Sequence, residues 1–296
     1  MAKKLKITPK SYLFVGVVMA LLIVYTLIMF IMVYLAINTS LKEYIDFKLN
    51  PKFALPEIFY FKNYVDAFTA FKVTTSNQEP VYLLEMLINS IIYSGGCAIV
   101  ATMIPCLMAY LVSKYKEMWF NKVLYTTVIV AMILPIIGAL PSEIQMAKAL
   151  GLYNTRFGLV VMRASYLGMY FLIFHGTFNG LSDEYLEAAT IDGASQLNVL
   201  LNIVLPLVKT TIFAVLLLNF ISYWNEYQSP LIYMADFPTA AVGLFRFVYF
   251  PNNAGASSSH TMQMAGCMIL FIPIFVLFLC FKDIFMGNLT VGGIKG

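Results

Sequence analysis

The sequence has 296 residues, of which 60% are hydrophobic and only 11% charged, and its formal net charge is +4. Soluble domains run near a quarter charged, so this composition excludes an ordinary water-soluble fold. Much of the positive excess sits in a leading cluster of Lys3, Lys4, Lys6 and Lys10, which a membrane anchor explains without any nucleic acid.

The first apolar run, 12–37, is too long for the hydrophobic region of a signal peptide and is closed by no small-residue cleavage site, so it predicts an uncleaved span. Residues 38–85 follow as a polar segment with five lysines and six acids, expected outside the membrane. Further runs recur at 86–112, 122–141, 158–178, 208–233 and 262–281. Each approaches the roughly 20 residues that cross a ~30 Å hydrocarbon core, and continuous apolar runs select helix over barrel. The expected fold is therefore an all-α membrane protein with six transmembrane helices and a five-span core over 86–285. Lys114, Lys116, Lys122, Lys209, Lys282 and Lys295 near the span ends favour cytoplasmic N- and C-termini for segments 1–11 and 286–296. Lys148, Arg156, Arg163 and Arg246 then fall outside. The Gly/Ser-rich stretch 252–259 reads as a flexible outer loop.

Between the fourth and fifth runs lies a polar, small-residue loop over 179–207. Ser182 is a good helix cap, Asp183 and Glu184 complement a positive helix end, and Gly193 is a fitting terminator. Ser195 then caps a second helix whose Leu197, Leu200, Leu201 and Val204 recur at helical spacing before Pro206. On the first helix Ala188 and Ala189 permit close approach by another surface, while Glu187 and Asp192 supply charge for a basic partner. Amphipathic surface helices are usually rich in Lys and Arg, and this one is acidic, which favours docking over lying on lipid.

The string Glu187-Ala-Ala-Thr-Ile-Asp-Gly-Ala194, followed by Ile203-Val-Leu-Pro206, resembles the EAA motif of binding-protein-dependent ABC importer permeases. Asn89-Ser90, Leu150-Gly-Leu-Tyr-Asn-Thr155, Trp224-Asn-Glu226 and the tail Gly287 to Gly296 resemble its maltose-type carbohydrate branch. The 38–85 segment departs from that pattern, as does Lys209-Thr210, where a proline is common. The resemblance implies a permease in the bacterial plasma (inner) membrane and a cytoplasmic coupling helix between spans four and five. That helix, formed by Glu187, Ala188, Ala189, Asp192 and Gly193, would dock on a cytoplasmic ABC ATPase dimer. The further partners it implies are a second homologous permease, an extracytoplasmic solute-binding protein and a carbohydrate substrate. ATP and Mg would be bound by the ATPase, leaving this chain without a cofactor. In keeping with that division of labour, no G-x-x-x-x-G-K-[S/T] string occurs.

In the fifth run Asn219, Ser222, Tyr223 and Glu226 fall at i, i+3, i+4 and i+7, a polar stripe opposite Leu217, Phe220, Ile221 and Trp224. Such groups suit sugar hydroxyls along a substrate pathway, and they suit hydrogen bonding to neighbouring helices equally well. Glu226 falls roughly 10 Å beyond Asn219, where an acid is less costly. Arg163 is expected to snorkel or to pair with an acid such as Glu226. His175, with no acid beside it in its run, is expected to stay neutral without a relay role. Cys97, Cys106, Cys267 and Cys280 lack metal-ligand or disulfide spacing and read as small buried hydrophobes. The competing readings are an importer of a non-sugar solute, an ion-coupled secondary transporter, which needs midplane ionisable groups or broken helices in two related halves, and a membrane enzyme, for which no nucleophile or HExxH cluster exists.

Overall fold

The computed structural model describes residues 9–115, 118–134, 137–182, 184, 189, 191–250 and 259–289. Among them the helices are α1 (Pro9–Ser40), α2 (Tyr44–Leu49), α3 (Lys62–Ala70), α4 (Leu83–Lys114), α5 (Trp119–Ile133), α6 (Leu140–Ala149), α7 (Gly158–Met162) and α8 (Met169–Asn179). There follow α9 (Gln196–Leu207), α10 (Lys209–Asn225), α11 (Gln228–Tyr233), α12 (Ala240–Tyr249) and α13 (His260–Leu289). Among the described residues three stretches, Tyr12–Ser40, Leu83–Lys114 and His260–Lys282, are long and apolar enough to cross a membrane, and α9 with α10 makes a fourth if that bent pair counts as one span. The fold is thus a mostly helical membrane-embedded bundle.

Three of the expected continuous spans are interrupted, the third run of the chain ending at Ile133 because Leu134 leaves the helical region at φ −75°, ψ 119°. The fourth run divides into α7 and α8 around 163–168, where Gly168 takes φ +134°. The fifth ends at Asn225, because Glu226 leaves the helical region at φ −74°, ψ 123° before α11 begins. Nor is the chain wholly helical. Lys72–Thr74 (β1) pairs antiparallel with Pro80–Tyr82 (β2), and the alternation that buries Val73 and Val81 gives the hairpin a core face. The cysteines divide likewise: Cys97 and Cys106 are buried, whereas Cys280 is exposed.

The central helix is α4, which passes through three packed clusters. Its first turns join Phe71, Val73, Val81, Ala240, Phe247 and Leu270. There Gly266 of α13 lets the Phe71 ring come close; a Cβ built on it would lie 2.2 Å from Phe71 Cζ, and Phe71 in turn stacks on Phe247 at 3.9 Å. Midway, Tyr93 and Cys97 meet Leu159, Tyr233 and Met234. The last turns, with Cys106, Ala109 and Tyr110, pack on Phe171, Phe174 and Phe178 of α8 and on Val199, Val204 and Val208. By contrast α1 packs along α13 and is otherwise exposed through its apolar length, a helix apolar all round that needs lipid or another chain against it.

The 38–85 segment is an ordered cap on the end of the bundle. Asn38 donates to the carbonyls of Lys52 and Ala54 (3.0 and 2.9 Å), and Asn63 to those of Ser40 and Lys42 (2.9 and 2.8 Å). Lys42 is itself fully buried, its Nζ donating to the Pro51 carbonyl at 3.2 Å. A three-way junction fixes the hairpin to the rest. The Ser76 N–H and hydroxyl donate to Asp236 (2.7 Å each), Asn154 Nδ2 donates to Asp236 Oδ2 (2.6 Å), and the Asp236 N–H donates back to Asn154 Oδ1 (3.0 Å). The Ser76 hydroxyl, then its N–H and Asn154, hold the Asp236 carboxyl below the usual carboxylate range. A depressed folded pKa stabilises the fold above the unfolded value of about 3.9 and ceases to do so as pH falls through the lower folded value. Acidification below about pH 4 is therefore expected to loosen this junction, read as faster exchange of the Ser76 amide. Asp236→Asn should remove that pH dependence.

Candidate functional site

Two regions carry the polar chemistry at opposite ends of α10. The first is the loop leading into α9. Glu187 and Ala188 lie outside the described residues, but the turn that follows is defined. Gly193 takes φ +80°, the left-handed region that side chains resist, and among the described residues nothing lies within 4 Å of a Cβ built there, so the turn needs glycine for its conformation. The Ala194 N–H donates to the Ala189 carbonyl across this turn (3.0 Å), and Ser195 caps α9 by accepting from the Asn198 N–H (3.3 Å).

Ala189 does not face outward. It is 7% exposed and packs with Phe178, Ala194 and Val199, so its small side chain lets the loop sit tightly on its own bundle. Among the described residues of the turn Ile191 projects, 85% exposed, next to the exposed Asp192 and Gly193. A bare isoleucine on a polar turn is a feature that residue spacing alone did not reveal.

Beyond the turn, α9 widens to a π-helical turn over Leu200–Val204 just before Pro206, whose missing N–H removes one regular bond, and α10 then leaves at 73°. Val204 and Val208, buried at the elbow, join the core with the α8 phenylalanines. The exposed turn is thereby continuous, through packed side chains, with α4, α8 and α10.

The second region is the far end of α10. Glu226 sits at its terminus and receives Arg163 Nη2 on Oε1 (3.2 Å) and the Tyr93 hydroxyl on Oε2 (2.7 Å). Ser229 also donates to Glu226 and accepts from Arg163 Nη2 (2.7 Å). Tyr223 lies edge-on to Tyr93 at 5.9 Å, with the Arg163 guanidinium 5.6 Å from its ring. The expected pairing of Arg163 with Glu226 is present, at the break where α10 ends and beside the interruption between α7 and α8. Both side chains are partly screened, 35% and 26% exposed.

The stripe on α10 is not a single surface. Asn219 is buried and donates to Thr102 Oγ1 of α4 (3.0 Å), the helix-to-helix role. Ser222 is exposed, Tyr223 half-buried, and Glu226 engaged as above. On the opposite face Trp224 is buried and donates to the Leu270 carbonyl of α13 (3.1 Å). His175 lies against the rings of Tyr125 and Phe171, with Asn179 Nδ2 3.2 Å from its Nδ1. Among the described residues no group of His, Cys, Asp and Glu could hold a metal ion.

Residues 101–290 match the family described as the binding-protein-dependent transport system inner membrane component. The chain is 27% identical over 269 residues to the melibiose/raffinose/stachyose import permease protein MelC of Bacillus subtilis (strain 168), covering 90% of this chain and 92% of that protein. It is 23% identical over 288 residues to the diacetylchitobiose uptake system permease protein NgcG of Streptomyces coelicolor, covering 94% and 88%. It is 28% identical over 207 residues to the sn-glycerol-3-phosphate transport system permease protein UgpE of Yersinia pestis, covering 69% and 72%. Its fold is shared with a chain from the crystal structure of a bacterial ABC transporter involved in the import of the acidic polysaccharide alginate, with a TM-score of 0.72, 20% identity, and 93% and 98% of the two chains covered.

Proposed function

The chain belongs to the family of binding-protein-dependent transport system inner membrane components, and from that membership we propose that it forms half of a translocation pathway for a sugar or oligosaccharide. It is a transport subunit and not an enzyme. The other half of the pathway belongs to a second, similar permease, cargo arrives on a solute-binding protein, and ATP with Mg is bound by an ATPase dimer on the cytoplasmic side. The saccharide names of the MelC and NgcG relatives support the cargo class. In this reading α1, α4, α5, α7 with α8, α10 and α13 make six crossings, both termini are cytoplasmic, and the cap over 38–85 lies outside.

The observation that carries the mechanism is the Gly193 turn, exposed at Ile191 and built through Val204 and Val208 into the core of the bundle. Closure of the ATPase dimer moves that turn, and the elbow passes the motion to α10. In docking, Ile191, Asp192 and Gly193 supply the described part of the contact, Glu187 and Ala188 complete it, and Ala189 seats it. Along the pathway Ser222 and Tyr223 meet substrate, while Asn219 and Glu226 hold the helices that present them. Ile191→Glu places a charge where an apolar anchor is needed. It is expected to cut co-purification of the ATPase with this chain by tenfold or more, in line with loss of a buried anchor of about 2 kcal/mol, without lowering the chain's amount in the membrane. Full retention of the ATPase would remove Ile191 from the dock.

A further inference from the structure

We propose that the cleft between the β-hairpin and α12 binds the acidic group of an anionic saccharide, such as a uronate-containing oligosaccharide, on the outer face of the protein. This rests on the importer reading and specifies the chemistry of its cargo. The cleft has a volume of about 760 Å³, within the range of small-ligand sites, and is walled by Lys72 and Thr74 of β1 and by Phe245, Arg246 and Phe250 of α12 and its end.

Its charge is one-sided. Lys72 and Arg246, both half-buried, open on one cavity that no acid lines among the described residues. Among the described residues neither has a carboxylate within 4 Å. The contrast with the other two arginines is sharp: Arg156 holds Glu85 at 3.6 Å and Arg163 holds Glu226 at 3.2 Å. Folding thus gives two arginines a carboxylate partner and leaves the third lining a cavity together with a lysine. An arginine fork beside a lysine point charge is complementary to a carboxylate, and the Thr74 hydroxyl adds a donor.

The adjoining wall is aromatic. Phe245 stacks on Tyr227 at 4.5 Å and has Tyr249 at 5.1 Å and Phe250 at 6.0 Å. It also lines a second cavity, about 490 Å³, with Tyr227 and Tyr249. Ring faces beside a cationic pocket suit a pyranose that carries an acid: the carboxylate lies between Lys72 and Arg246, and the apolar face of the sugar rests on the rings. A neutral sugar would leave both cations unmatched, and an inorganic anion would leave the rings unused.

The test uses the assembled transporter, purified through this chain and held in phosphatidylcholine nanodiscs, titrated with trigalacturonate and with a neutral trisaccharide, maltotriose. Trigalacturonate is expected to bind, more weakly as salt rises, and about tenfold or more weakly in K72Q/R246Q. K72R/R246K, which keeps both charges, should retain binding, and unchanged thermal unfolding of K72Q/R246Q separates lost contact from lost fold. Maltotriose affinity should not respond to either variant. Absence of trigalacturonate binding, or equal binding by K72Q/R246Q, overturns the proposal. So does its abolition when phosphatidylglycerol replaces the neutral lipid, which would give the cleft to a lipid headgroup. A loss seen only with a solute-binding protein present would give the cleft to an acidic protein surface and overturns it too. ATP-driven uptake of a neutral sugar without any binding of trigalacturonate would leave the importer reading intact while ending this one, whereas failure of the ATPase to co-purify would strike the importer reading itself.

Discussion

Replacement of Gly193 by valine is expected to abolish solute uptake while the chain accumulates in the membrane at its normal level. The turn holds φ +80°, where an L side chain costs roughly 1–2 kcal/mol and a β-branched one more. Among the described residues nothing lies within 4 Å of a Cβ at this position, so the strain falls on the turn and the bundle is expected to stay folded. The cost falls on the turn, which relaxes toward negative φ and carries Ile191 and Asp192 out of their positions. Gly193→Asn, which tolerates the left-handed region, should retain much of the uptake, and Gly193→Ala should fall between the two. Initial rates of ATP-dependent uptake, normalised to membrane content, provide the measurement. Wild-type rates in Gly193→Val would detach this turn from the mechanism.

Glu226→Gln and Arg163→Met should each destabilise the isolated protein by about 1–3 kcal/mol, below the 3–5 kcal/mol of a fully buried pair because both side chains are partly exposed. Loss of the glutamate charge leaves the guanidinium over Tyr223 with only neutral acceptors, the Ser229 hydroxyl and the new amide oxygen; loss of the arginine leaves the carboxylate with the Tyr93 and Ser229 hydroxyls as donors. The asymmetry predicts that Arg163→Met is the milder change. The exchanged pair R163E/E226R should recover part of the loss, since charge neutrality returns while the Tyr93 bond does not. Thermal unfolding in detergent reads the stability, and recovery in the exchanged pair separates electrostatic pairing from packing.

Local chemistry was readable wherever the cause lay within a few residues. The Ser195 cap and the positive φ of Gly193 follow from side-chain oxygens and a missing Cβ close by in sequence. The Arg163–Glu226 pair was also legible, because unpaired charge in an apolar segment demands a counter-ion and few were on offer. The break over 163–168 was hidden, since an apolar stretch reads the same whether its backbone is helical or not. The hairpin was hidden because strands of three residues are too short to show alternation. Ala189 illustrates a different limit: a small residue admits close approach from either side, and only the packing decides that the neighbour is the chain's own Phe178 and Val199. Lys72 and Arg246 stand far apart in sequence, and their shared cavity exists only after the hairpin has folded against α12.

The Arg163–Glu226 pair also sets a timetable for synthesis. The two residues are 63 positions apart, so at 5–20 residues per second the arginine waits roughly 3–13 s for its carboxylate. A lone arginine drawn into the lipid interior would cost about 2.5–3.5 kcal/mol on insertion scales, which favours keeping an unpaired Arg163 at the water-facing end of its span. Until the later segment arrives, α7 is held where water or the insertion machinery can serve the guanidinium. A ribosome stalled before residue 226 therefore leaves behind a chain whose Arg163 lacks its carboxylate.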